Sequence, residues 1–194
     1  MTAERVKAGF QASLEVHEAL VKDVVLQQQI ASLASQCLSS LKKGGKVIFA
    51  GNGGSFADSQ HLATELVSRL QYDRAPLPSI ALGTNSSSMS AIGNDYGYEH
   101  VFGREIAVLG SDGDVFIPIS TSGNSLNILV AVRIAKENGL HICGLTGRSG
   151  GKLVTEAECI QIPADRTERI QEGHILVGHV LCGLIEDDYF RRSH

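Results

Sequence analysis

The four cysteines of this chain, Cys37, Cys143, Cys159 and Cys182, include no C-x-x-C pair. Each lies in an apolar context, which reads as buried, reduced thiols of a cytosolic protein rather than a disulfide framework. There is no basic stripe or arm, and the formal net charge is −4, so nothing supports a nucleic-acid partner. The N-terminal MTAERVKAGFQASLEVHEA lacks the apolar stretch of a signal peptide. The longest apolar run, Ile175 to Ile185, is too short to span a bilayer, contains His179 and is followed by Glu186, Asp187 and Asp188. It predicts a buried helix and no membrane partner. Internal repeats, low-complexity tracts and linkers are also missing. What these absences leave is a cytoplasmic globular chain, read as one domain over 1–194, whose 43% hydrophobic content suffices for an ordinary core.

Helix comes first. Val6, Phe10, Leu14, His17 and Val21 recur at helical spacing, as do Ile30, Leu33, Ala34, Cys37, Leu38 and Leu41. A break near Asp23 divides the segment, and Gly44-Gly45 ends it. Such an extension over 1–43 is expected to pack on the sheet, on partner subunits, or on both. Apolar runs at Val47–Ala50, 79–83, 114–119, 140–145 and 159–162 then alternate with helical stretches, the last helix running from about Thr167 to Phe190. Ser86 onward reads as mostly helical with an interruption at Gly93-Asn94-Asp95. This alternation predicts an α/β fold with a parallel sheet covered on both faces, and ligands bound outside the carboxyl ends of its strands.

Two strand–helix junctions carry possible chemistry. In KVIFAGNGGSFADSQHLATE, from Lys46 to Glu65, Gly51, Gly53 and Gly54 form a flexible turn, Ser55 reads as a helix N-cap, and helix is expected to Arg69. A junction of this kind aims free N–H groups and the positive end of the helix dipole at one point, which suits an anion. No Gly-Lys-Ser/Thr follows, so it is not a Walker A loop. Phe56 stands where a dinucleotide fingerprint needs glycine. Alone, the turn fits a structural role as well as a ligand loop. The second junction, Ser120-Thr121-Ser122-Gly123-Asn124-Ser125, offers four hydroxyls and a run of N–H groups, donors that suit a single monoester phosphate. A plain helix cap needs only one hydroxyl.

His61 and Glu65 are four residues apart and share a helix face. Gln171, Glu172, His174 and His179 lie on the otherwise apolar last helix, where burial without partners costs several kcal/mol in total. Two histidines, a glutamate and one further oxygen donor would satisfy a tetrahedral Zn²⁺. Spacing alone does not choose between His174 and His179 as the partner of His61.

GNGGS, the H-x-x-x-E pair, GNDYGY, STSGNS and RIQEGH-x₄-H, in this order across nearly the whole chain, resemble the bacterial phosphoheptose isomerases, single-domain members of the sugar-isomerase (SIS) family. The resemblance implies a five-stranded parallel sheet flanked by helices, in a homotetramer with active sites at subunit interfaces. It implies substrate contacts from Asn52, Gly53, Gly54, Ser55, Asn94, Asp95 and Gln171, a phosphate cradle at Ser120, Thr121, Ser122 and Ser125, and a phosphate-assisting cation at Arg69. It also implies one Zn²⁺ per subunit on His61, Glu65, Gln171 and His179, which selects His179 over His174. Where some relatives carry Asp, this chain has Glu168, which is therefore left outside the core set.

The implied reaction converts D-sedoheptulose 7-phosphate to D-glycero-D-manno-heptose 7-phosphate, opening heptose precursor synthesis for the lipopolysaccharide core. Moving a proton between C1 and C2 through an enediol needs a base and an acid, assigned here to Glu65 and His179. Glu65 contacts substrate as well as metal in this reading, so both residues alternate between ligand and acid/base roles. The other reading is a non-catalytic protein of the same fold that senses a sugar phosphate or holds a protein partner. The presence of all four implied metal ligands weighs against it.

Overall fold

A computed structural model of the protein describes residues 2–190; Met1 and residues 191–194 lie outside the description, as do those positions of the expected 1–194 domain. Helices α1 (Ala3–Lys22) and α2 (Val24–Lys42) precede strand β1 (Val47–Gly51). Helix α3 (Gly54–Val67), β2 (Ser79–Ala81), α4 (Ser86–Asp95), a 3₁₀ turn (Tyr98–His100) and α5 (Val101–Leu109) follow. Then come β3 (Val115–Ser120), α6 (Leu126–Glu137), β4 (His141–Gly147), α7 (Leu153–Glu156), β5 (Glu158–Ile162) and α8 (Thr167–Phe190). The five strands form one sheet in the order β2-β1-β3-β4-β5, every pairing parallel. The expected α/β fold is thus present, with the strand order reversing between β1 and β3. Ligands of such sheets sit in the crevice outside the strand ends at this reversal, and both Gly/Ser junctions flank it.

Alternation along β1 explains the layering. Val47 and Phe49 face a core shared with α2, α3 and α8, while Ile48 and Ala50 face a second core shared with α5 and α6. All five β1 residues are buried, as a strand covered on both sides requires. Asp23 makes the break between the first two helices by accepting the Leu26 N–H on its carboxylate at 2.9 Å.

The structure moves several expected boundaries. β2 is shorter than 79–83, because Leu82 and Gly83 already turn away. Helix α4 runs through Gly93-Asn94-Asp95 instead of breaking there, and ends at Tyr96–Gly97. β4 continues beyond the apolar run at 140–145 to Gly147, and a short α7 stands between it and β5. α3 stops at Val67, and its N-cap is Gly53, at a φ of 57° that favours glycine; Ser55 lies inside the first turn with its side chain buried. The apolar stripe of α1 faces outward. Phe10 is 74% exposed and Val21 75%, with Val6 and Leu14 also exposed, and Leu20 is the one buried residue of that helix.

Candidate active site

α3 and α8 run side by side in the same direction. Gln171 lies against Gly54, His179 against His61, and Glu186 against Leu70 and Gln71, so the order of contacts is the same along both helices. Gly178 makes the close approach possible: a Cβ there would sit 2.5 Å from a Leu62 methyl. The result brings together three groups from two helices. His61 Nε2 is 2.8 Å from His179 Nε2 and 3.1 Å from Glu65 Oε1, and the three ligand atoms all lie within 4.8 Å of one another. Three lone-pair-bearing atoms aimed at one point repel unless a proton or a cation lies among them. Two imidazole nitrogens and a carboxylate oxygen are the donor set that Zn²⁺ takes, so these residues fit the metal.

His174 takes no part. It is fully buried on the side of α8 that faces Thr146 of β4, and burial lowers its pKa to about 4. Glu172 is likewise occupied elsewhere: it accepts hydrogen bonds from Ser13 of α1 at 2.7 Å and from Arg169 at 2.6 Å. Glu168, in the first turn of α8, is exposed and paired with Arg166.

Gln171 is eight residues before His179 on α8. At 1.5 Å per residue that is about 12 Å along the helix, so within one chain the Gln171 amide sits at the glycine turn, away from the three converging groups. Glu65 is eleven residues from the start of α3, about 16 Å along it. Arg69 is exposed just beyond the end of α3, further still from the glycine turn.

At the other end, Ser120 closes β3 and Ser125 precedes α6. Their hydroxyls are 3.1 Å apart, and Ser125 makes no side-chain capping bond, so its hydroxyl is not consumed by the helix end. The Ser122 hydroxyl accepts the Asn124 N–H at 3.2 Å, which bends the loop around the α6 N-terminus. Thr121 and Ser122 also line a 250 Å³ cavity with Asn124, Gly147 and Arg148. Asn94 and Asp95 are exposed at the end of α4, with Asn94 donating to Asp95 at 2.7 Å.

Sequence reasoning missed two sets of residues around these groups. Arg74 caps the C-terminus of α3, donating to the carbonyls of Glu65 at 2.7 Å and Leu66 at 2.6 Å, and to Glu186 Oε1 at 2.8 Å. Glu186 also accepts the N–H groups of Leu70 and Gln71, so a buried ion pair ties the helix of His61 and Glu65 to the helix of His179. Nothing in the residue pattern marked Arg74. Asn127 and Tyr98 form the second set, joined through Asn52; both lie within or just beyond motifs already singled out, GNDYGY and STSGNS. Asp58, one turn before His61, keeps one carboxylate oxygen buried without a partner, and its burial raises its pKa.

With the geometry in place, comparisons locate the chain. A family model described as SIS domain matches residues 10–147, which leaves α8 outside the match. The chain is 48% identical over 189 residues to a phosphoheptose isomerase from Aneurinibacillus thermoaerophilus, covering 97% of this chain and 96% of that protein. The structure of a phosphoheptose isomerase from Francisella tularensis superposes with a TM-score of 0.90 at 35% identity, over 96% of this chain and 100% of that one. A phosphoheptose isomerase structure from Neisseria gonorrhoeae gives 0.88 at 41% identity, over 95% and 98%. Similarity that spans 95–97% of the chain, and so reaches α8 with His179, leads to one conclusion: this chain belongs to the SIS domain family and, within it, to the phosphoheptose isomerases.

Proposed function

We propose that this isomerase converts D-sedoheptulose 7-phosphate to D-glycero-D-manno-heptose 7-phosphate through an enediol, in the cytoplasm, as the first step toward the heptose of lipopolysaccharide core. The observation that carries this reading is the convergence of His61, Glu65 and His179 from two helices, on a fold whose strand-order reversal also bears a four-hydroxyl loop. The names of full-length relatives point to the same reaction.

The chain's own residues then have distinct tasks. The hydroxyls of Ser120, Thr121, Ser122 and Ser125, with the N–H groups at the α6 N-terminus and the Arg69 cation, hold the phosphate. That end does no chemistry; its binding positions C1 and C2. The backbone of Asn52, Gly53 and Gly54, the Ser55 N–H, Asn94, Asp95 and Gln171 orient the sugar. Glu65 removes the proton from one carbon and returns it to the other, while His179 gives and takes the proton of the sugar oxygens. A Zn²⁺ held by His61, Glu65 and His179, with Gln171 completing the set, would polarise the carbonyl and stabilise the enediolate when bound. Glu65 and His179 alternate between holding and proton transfer.

The axial separations favour sites shared between subunits. An extended seven-carbon sugar phosphate is shorter than the roughly 16 Å between the α3 N-terminus and Glu65. Glu65, Arg69 and His179 of one subunit therefore serve the loops of another, whose own Gln171 amide stands at its glycine turn. The outward apolar stripe of α1 supplies contact surface for the homotetramer. In this reading 1–194 is one SIS domain, with 1–43 packing on the sheet through α2 and on partners through α1.

Steady-state assays of wild type, Glu65→Gln and His179→Gln with sedoheptulose 7-phosphate, alongside elemental analysis, test the assignment. Activity in the wild type and its loss in both variants is the expected result. An inactive wild type loaded with zinc overturns the reaction, and fully active variants overturn the catalytic roles. Light scattering that returns a monomer in an active preparation removes the shared site.

A further inference from the structure

Three segments assigned above to substrate meet at one side chain. The carboxamide of Asn52, at the end of β1, forms a reciprocal pair with Asn127 in the first turn of α6: each Nδ2 donates to the other's Oδ1 at 2.9 Å. Tyr98, three residues past Asp95, donates its hydroxyl to Asn52 Oδ1 at 3.0 Å. The orientation of this network is fixed from one end. The Ile128 N–H donates to Asn127 Oδ1 at 3.0 Å, so that atom is the oxygen. The Asn52 atom facing it is then Nδ2, and the Asn52 oxygen faces Asn127 Nδ2 and the Tyr98 hydroxyl. Asn127 is 4% exposed and Asn52 is half-buried, so the pair is partly shielded from water and a mismatched partner on the Asn127 side is costly.

We infer that Asn127 and Tyr98 are positioning residues that engage the Asn52 side chain to fix the separation between the glycine turn, the 94–95 segment and the phosphate cradle. Three of the four hydrogen-bonding positions of the Asn52 amide are occupied, so its side chain is mainly a junction and only one N–H is left for substrate. Asn127 follows Ser125 by two residues, which makes it the direct link from the cradle to the glycine turn. A ligand that touches only the cradle is blind to this separation. One that spans cradle and glycine turn is sensitive to it. The inference rests on the loop assignments made above.

Asn127→Asp keeps the shape but sets oxygen against oxygen, and no flip of Asn52 relieves it, since one carboxamide cannot donate from both atoms. Tyr98→Phe removes one hydrogen bond from an exposed residue and leaves the core untouched. Calorimetric affinities for inorganic phosphate and for sedoheptulose 7-phosphate are measured on both variants and on the double variant, with melting temperatures and kcat/KM. Inorganic phosphate affinity is expected to stay within about twofold of wild type. The advantage of the sugar phosphate over inorganic phosphate is expected to fall roughly tenfold in Asn127→Asp and about threefold in Tyr98→Phe, and the double variant is expected to lose less than the product. Equal weakening of both ligands, or strictly multiplicative losses, overturns the inference. An unchanged ratio in folded Tyr98→Phe also overturns it, whatever the stability of Asn127→Asp. These affinities are read without turnover, so a wild type that binds the sugar phosphate yet does not isomerise it sinks the proposed reaction and leaves the positioning test standing.

Discussion

The proposed phosphate cradle and the His61/Glu65/His179 cluster are built in opposite ways. The cradle is one contiguous turn between β3 and α6, and its donors are hydroxyls and N–H groups that the local chain direction sets. The cluster is assembled from residues 118 positions apart, on two helices whose relative height is set by Gly178 packing on Leu62 and by the Arg74–Glu186 pair. The first depends on a turn and the second on helix register. Damage should therefore stay local in the cradle and spread in the cluster.

Glu65→Gln gives the largest expected effect: kcat falls about 10²–10⁴-fold with sugar phosphate affinity changed only a few-fold, measured by steady-state kinetics and calorimetry. A change of similar size in affinity alone would erase the division between the two regions. Arg74→Met comes next. It leaves Glu186 buried and unpaired, and is expected to cost about 3–5 kcal/mol in denaturant unfolding. The double replacement Arg74→Met, Glu186→Leu should recover a large part of this, and a single variant as stable as wild type would show that helix register does not depend on the pair.

A third expectation concerns pH. The folded His174 has a pKa near 4 against an ordinary 6.5. Below pH 6.5 the unfolded chain takes up a proton that the folded chain refuses until about pH 4. Stability from this residue is therefore complete above pH 6.5 and is lost as pH falls toward 4, by at most about 3 kcal/mol. His174→Phe should flatten that limb of the stability–pH curve, read by urea midpoints between pH 4 and 7; a slope identical to wild type contradicts it. Ser120→Ala is expected to have the smallest effect, weakening inorganic phosphate by about 0.5–1.5 kcal/mol with kcat within twofold. A large loss of kcat there would mean that the cradle and the cluster are not separable.

Much of this was legible in the chain. Apolar runs set off by glycines gave the order of strands and helices, and the Asp23 break fell where a short acidic cap was present. The interruption after Ser86 was misplaced, since Asn94 and Asp95 look like turn residues yet continue α4, and the chain turns only at Gly97. Ser55 looked like a cap because its neighbours hid the role of Gly53. The choice of His179 over His174 was open on spacing and came from resemblance. In the structure it follows from which side of α8 meets α3.

The sequence by itself determined the alternation of elements, the hydroxyl-rich turn and the residue types available for proton transfer, because these depend on periodicity and on neighbours in the chain. Only the tertiary structure decided which histidine joins His61, where Gln171 stands, that Arg74 and Glu186 fasten α3 to α8, and that Asn127 and Tyr98 occupy Asn52. Each of those depends on distance between residues far apart in the chain, which packing sets and no local pattern records.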